Sequence, residues 1–168
     1  MAQPVPEAWL RGPLEGVHPL MMPVFFTFLQ VREDLARHTQ GLTREQVWRN
    51  IHGVASLGFH LKHIAGSVDR LTTYVSGDQL NERQMQFMRE EAQAGMGVEE
   101  LLRLMHAALE HSEEQLRQID PATLYDARRV GRKALPTTVI GLIVHLAEHT
   151  QRHLGQAVTT IKMLRDTS

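Results

Sequence analysis

The run His145-Leu-Ala-Glu-His149-Thr-Gln-Arg-His153-Leu-Gly-Gln156 sets imidazoles at four-residue intervals in a stretch with helical periodicity. Residues four apart on an α-helix are separated by about 40° around the axis and roughly 6 Å along it, so His149 and His153 face one point. That arrangement chelates a metal ion. The 3-4 pattern of the same segment runs Val139, Leu142, Leu146, then 149, 153, Ala157, Thr160 and Leu164, which assigns both histidines to the core side. An unpartnered buried polar group costs on the order of 1–3 kcal/mol. A shared ion removes that cost by taking a lone pair from each ring while the second ring nitrogen donates to a carboxylate, carbonyl or water. The plainer alternative is a pair of core histidines hydrogen-bonded within the protein, or a locally wet seam.

Two histidines rarely hold a metal alone, so a third protein ligand is expected, with water completing the shell. The candidates lie in Gly58-Phe59-His60-Leu61-Lys62-His63-Ile64-Ala65-Gly66. Periodicity selects His60, which is nearer the Leu57, Leu61, Ile64 seam. His63 falls on a flank with Phe59, Gly66, Ser67 and Arg70, where it faces a neighbouring helix, and the residues alone leave both open. Zincin chemistry is set aside, because Thr150, Gln151 and Arg152 separate the paired histidines and no glutamate occupies the base position. A di-iron carboxylate bundle needs Glu-x-x-His repeats on two helices, and these are missing, although Glu110 and Glu114 share one segment.

Composition narrows the classes further. The 168 residues suit one domain, expected to span 1–168, and suffice for a substantial core. With 18 basic against 19 acidic residues and no basic stripe, the chain offers little to neutralise phosphates, which argues against a nucleic-acid partner. There are no cysteines, so disulfides, thiolate metal sites, iron–sulfur clusters and a cysteine nucleophile are excluded. The opening Met1-Ala-Gln-Pro-Val-Pro-Glu-Ala-Trp9 lacks a charged region followed by an apolar run. No stretch reaches the ~18 apolar residues of a membrane span. A cytoplasmic protein without a membrane partner is the expectation.

The elements that must position the histidines read as helices throughout. Between Thr27 and Asp120 there is no proline, and strand alternation fails. A first helix is expected from near Pro19 or Pro23 to about His38, stopped by Gly41. A short turn follows in which Thr43 caps and Gln46 completes a capping box, with Trp48 as a packing anchor. A second long helix is expected from about Val54 to Val75, ending at Ser76-Gly77, and a third from Val98 to Ile119. The polar Asn81–Ala94 connection reads as a crossing loop or a short helix. The last helix is expected to start at Pro136, a favourable first-turn proline, and to reach about Arg165. This is an all-α chain, a four-helix bundle with a long crossover connection.

Leu57-Gly58-Phe59-His60-Leu61-Lys62-His63-Ile64-Ala65, followed in order by Glu148-His149-Thr150-Gln151-Arg152-His153-Leu154-Gly155-Gln156, resembles the paired motifs of the DinB-like proteins. These share their fold with YfiT-type metal-dependent hydrolases and with low-molecular-weight-thiol transferases, and the resemblance covers essentially the whole chain. It implies a divalent metal, nickel or zinc, on one histidine of the second helix and the H-x-x-x-H pair of the last. Matched residue by residue, the ligands are His63, His149 and His153. His60 and His145 then line the pocket, support the ligands or are satisfied structural histidines, and Arg70 and Gln156 are neighbours of the site or of its pocket. Arg70 with Asp69 either binds an anionic ligand near the metal or forms a salt bridge.

Three neutral ligands leave open positions, at which a water or a thiol can be activated. The leading expectation is a metal-dependent hydrolase or thiol transferase acting on a small molecule or a thiol. The alternatives are a non-catalytic, stress-related metal- or ligand-binding protein and a structural dimerisation module. A homodimer is expected from the Leu- and Met-rich apolar faces. Glu148, one residue from His149, is a candidate base, yet it points about 100° away and is expected exposed or behind the site.

Overall fold

The chain is described by a computed structural model over residues 5–166; Met1 to Pro4, at the head of the opening segment, lie outside the described residues. Among the described residues six α-helices follow one another: α1 (Met22–His38), α2 (Arg44–Trp48), α3 (Leu57–Ser76), α4 (Glu82–Glu90), α5 (Val98–Arg117) and α6 (Val139–Asp166). Two short strands, β1 (Ala127–Val130) and β2 (Leu135–Thr138), stand between α5 and α6. The four long helices close a ring, α3 packing on both α5 and α6 and α1 on the other side of the same two. The architecture is all-α, as the apolar periodicity requires.

Local signals account for the boundaries. The Thr43 side chain accepts from the Gln46 amide while the Gln46 side chain accepts from the Thr43 amide, the reciprocal capping box read from the sequence. Ser56 caps α3 by accepting from Phe59 N at 3.2 Å, so that helix starts three residues after Val54, which is exposed. Gly77 ends it in the left-handed region at φ 91°, where a side chain would be strained. The polar connection forms α4, started by a second capping box between Asn81 and Gln84.

Pro136 does not open the last helix. It sits in β2, paired with Arg129, and α6 begins at Val139. A two-stranded hairpin has only edge strands, which tolerate a proline without losing an interior ladder bond. The hairpin is fastened to the bundle where Arg128 Nε donates to Val75 O at 2.9 Å.

The core is filled by Phe28 and Leu35 of α1, Leu57, Leu61 and Ile64 of α3, Leu101, Met105 and Leu109 of α5, and Leu146 and Leu164 of α6, all fully buried. Each such side chain contributes about 1.5–3 kcal/mol of burial. Helix α3 is buried nearly all round, since α2 and α4 cover the sides that α5 and α6 leave. Its polar residues are therefore forced to find partners within the protein.

Candidate metal centre

His63 on α3 meets His149 and His153 on α6, each ring offering one nitrogen, and these three nitrogens lie within 4.8 Å of one another. His63 Nε2 is 3.0 Å from His149 Nε2. The His63 and His153 ring centroids are 4.2 Å apart, and those of His149 and His153 are 4.7 Å apart. Phe59, one turn before His63, stacks on it at 5.3 Å with the planes 19° apart and walls one side of the cluster.

The pair does not lie on the innermost seam of α6. Thr150 and Leu154 take the buried positions beside Leu146 and Ala157, and His149 and His153 fall on the flank turned to α3, half-buried. The 3-4 pattern missed this because Thr150 counts as polar in sequence, yet its hydroxyl is satisfied by donating to Leu146 O at 2.7 Å. On α3 the order is the reverse of the chemistry. His60 is the more deeply buried, as periodicity says, while the half-buried His63 reaches the pair.

Electrostatics leave the rings in the form that binds cations. Burial, with His63 as the next cause, holds His149 down to about 4. Burial, then His63, His149 and His60, holds His153 down to about 3. Both are neutral at pH 7 and retain a lone pair. His149 Nδ1 is buried without a hydrogen-bond partner, a polar atom that packing alone leaves uncompensated.

Around the cluster, His60 Nδ1 lies 3.2 Å from His153 Nδ1, and burial holds His60 down to about 4. His63 Nδ1 lies 2.7 Å from Glu91 Oε2, and Arg70 Nη1 donates to Glu91 Oε1 at 2.7 Å. Arg70 thus forms a buried salt bridge one residue removed from the cluster. His145 is exposed and paired with Glu148, which also bonds Arg152. Glu148 is itself exposed, while Gln156 is exposed one turn beyond Arg152. Glu110 and Glu114 are exposed on α5. Sequence reasoning missed Glu91, 28 residues after His63; the rule that a metal-binding histidine hands its second N–H to a carboxylate was the signal available to find it.

Residues 27–157, from within α1 into α6 and including all three histidines, match the family model described as DinB superfamily. No curated protein matches the chain. Among the described residues, no helix is long and apolar enough to cross a membrane.

Proposed function

The chain belongs to the DinB superfamily, and from that premise and the geometry above we propose that His63, His149 and His153 hold one divalent cation, nickel or zinc, in a metal-dependent hydrolase or low-molecular-weight-thiol transferase. The carrying observation is the convergence of three ring nitrogens within 4.8 Å of one another from two different helices. The donor set fits the ion. Two of the imidazoles are held neutral by burial, and imidazole suits zinc and nickel.

When bound, such a cation is a Lewis acid that makes a water or a thiol acidic enough to act as a nucleophile near neutral pH. The protein's own part is positional. Glu91 holds the His63 ring at Nδ1, His60 contacts His153 Nδ1, and Phe59 stacks on the His63 ring. No cysteine is present to act as a nucleophile, which is consistent with an activated water or an incoming small thiol.

A non-catalytic ion that braces the bundle is the second reading, favoured by the site's placement across the α3–α6 contact. A homodimer belongs to the proposal as well. Exposed Leu20 and Val144 flank a groove of about 300 Å³ between α1 and α6, an apolar surface that a second copy would cover.

Protein purified without a nickel resin should contain close to one equivalent of nickel or zinc by elemental analysis, and His149→Ala should lose it while keeping the helical circular dichroism of the parent. Ester, amide and thiol-transfer substrates should turn over in proportion to metal content. Full turnover by metal-free protein would reject the mechanism, whereas metal binding with no turnover and a raised melting temperature would select the bracing role.

A further inference from the structure

Gly58, Lys62, Gly66 and Arg70 recur every fourth residue along α3 and form one stripe that meets α2 and the connection containing α4, and its Gly66–Arg70 end lies beside His63. Each member has a distinct contact. The Trp48 ring lies over Gly58, at 2.7 Å from where a Cβ would be. The buried Lys62 ammonium donates to Glu90 O at 2.5 Å, at the end of α4, and to Gln93 O at 3.3 Å, in the loop just beyond it. Gly66 leaves the space in which Glu91 lies, since a Cβ there would collide with Glu91 Oε1 and stand 2.7 Å from Arg70 Nη1. Arg70 then grips that same oxygen. Lys62, Gly66 and Arg70 dock the end of α4 so that the other oxygen of Glu91 meets His63 Nδ1.

We propose that Glu91 is the positioning residue of the histidine cluster, holding His63 in the Nδ1–H tautomer so that its Nε2 lone pair faces His149 and His153. The inference rests on the metal reading given above. A carboxylate paired with Arg70 accepts hydrogen bonds and donates none, so the proton of the 2.7 Å contact belongs to His63 Nδ1. Stability alone does not explain the arrangement, because a buried ion pair is on average no better than a well-packed apolar pair. Aim does explain it, since one oxygen answers Arg70 and the other fixes which face of the His63 ring is basic.

Glu91→Gln separates the two roles. The Arg70 guanidinium can only donate, so the glutamine oxygen turns to Arg70 and its NH2 group turns to His63 Nδ1, which must then accept. Nitrogen-15 NMR of the histidine side chains in metal-free protein should show His63 as Nδ1–H in the wild type and as Nε2–H in Glu91→Gln. Zinc and nickel affinity, measured by competition with a chromophoric chelator, should fall about 10- to 100-fold. Adding Arg70→Met should free the glutamine to turn back and recover the Nδ1–H tautomer and part of the affinity. A wild-type His63 carrying its proton on Nε2 overturns the inference with no variant needed. Unchanged tautomer and affinity in Glu91→Gln overturn it while leaving the metal reading standing. Wild-type protein that takes up neither ion overturns the metal reading instead, and the two failures are distinguishable because the tautomer is read without metal.

Discussion

His60, His149 and His153 share a cost that an ordinary bundle avoids, since all three are kept neutral chiefly by burial, at about 4, about 4 and about 3. His106 on α5 is lowered for the same first reason, with Arg32 beside it, and its Nε2 is buried without a partner. The unfolded chain titrates these rings near 6.5. Below that pH the unfolded state binds protons that the folded state refuses, so the stability present above pH ~6.5 is lost as pH falls towards the folded values. Metal-free protein should therefore unfold at progressively lower urea between pH 7 and pH 4.5. Replacing His106 by Leu should flatten that slope, and a urea midpoint that rises on acidification would contradict the assignment. Protons also compete with an ion for the same lone pairs, so metal-loaded protein should show the same sign.

At the scale of elements, α3 is the organising piece, because its neighbours approach as closely as its small residues allow. Gly58→Ala should destabilise by about 1–3 kcal/mol through overpacking against the Trp48 ring, measured as a lowered urea midpoint with unchanged slope. A neutral result would mean that α2 shifts freely. This dependence was only partly legible in sequence. The 3-4 spacing of Leu57, Leu61, Ile64 and Val68 announced the helix, and Thr43 with Gln46 announced the turn before it, because both signals are local. The hairpin was not legible, since Ala127-Arg-Arg-Val130 and Leu135-Pro-Thr-Thr138 lack alternation and a proline there reads more readily as a helix start. Glu91 escaped for a different reason. Its partners His63 and Arg70 are 28 and 21 residues away, and only the stripe on α3 brings them together. The pair on α6 was legible because its geometry is fixed by one helix, whereas the choice between His60 and His63 depends on how α3 is rotated against α6, which spacing does not encode.

At the scale of the whole molecule, the cluster joins α3 to α6, two of the four helices that close the ring. A ligand that binds the folded chain and not the unfolded one adds about 2.7 kcal/mol at a hundredfold excess over its Kd. For a chain of this size each kcal/mol raises the melting temperature by about 2–4 °C. Loading zinc or nickel to that excess should therefore raise the midpoint by roughly 5–11 °C over chelator-treated protein. His153→Ala should abolish most of that increment because it removes one of the two proposed α6 donors, whereas a substitution at exposed His145, which pairs with Glu148 at the surface and whose ring lies 5.3 Å from that of His149 without joining the three-nitrogen cluster, should leave most of it intact. An increment that survives in His153→Ala would place the ion elsewhere on the chain. One that vanishes equally in His145→Ala would show that the exposed turn of α6 is part of the site.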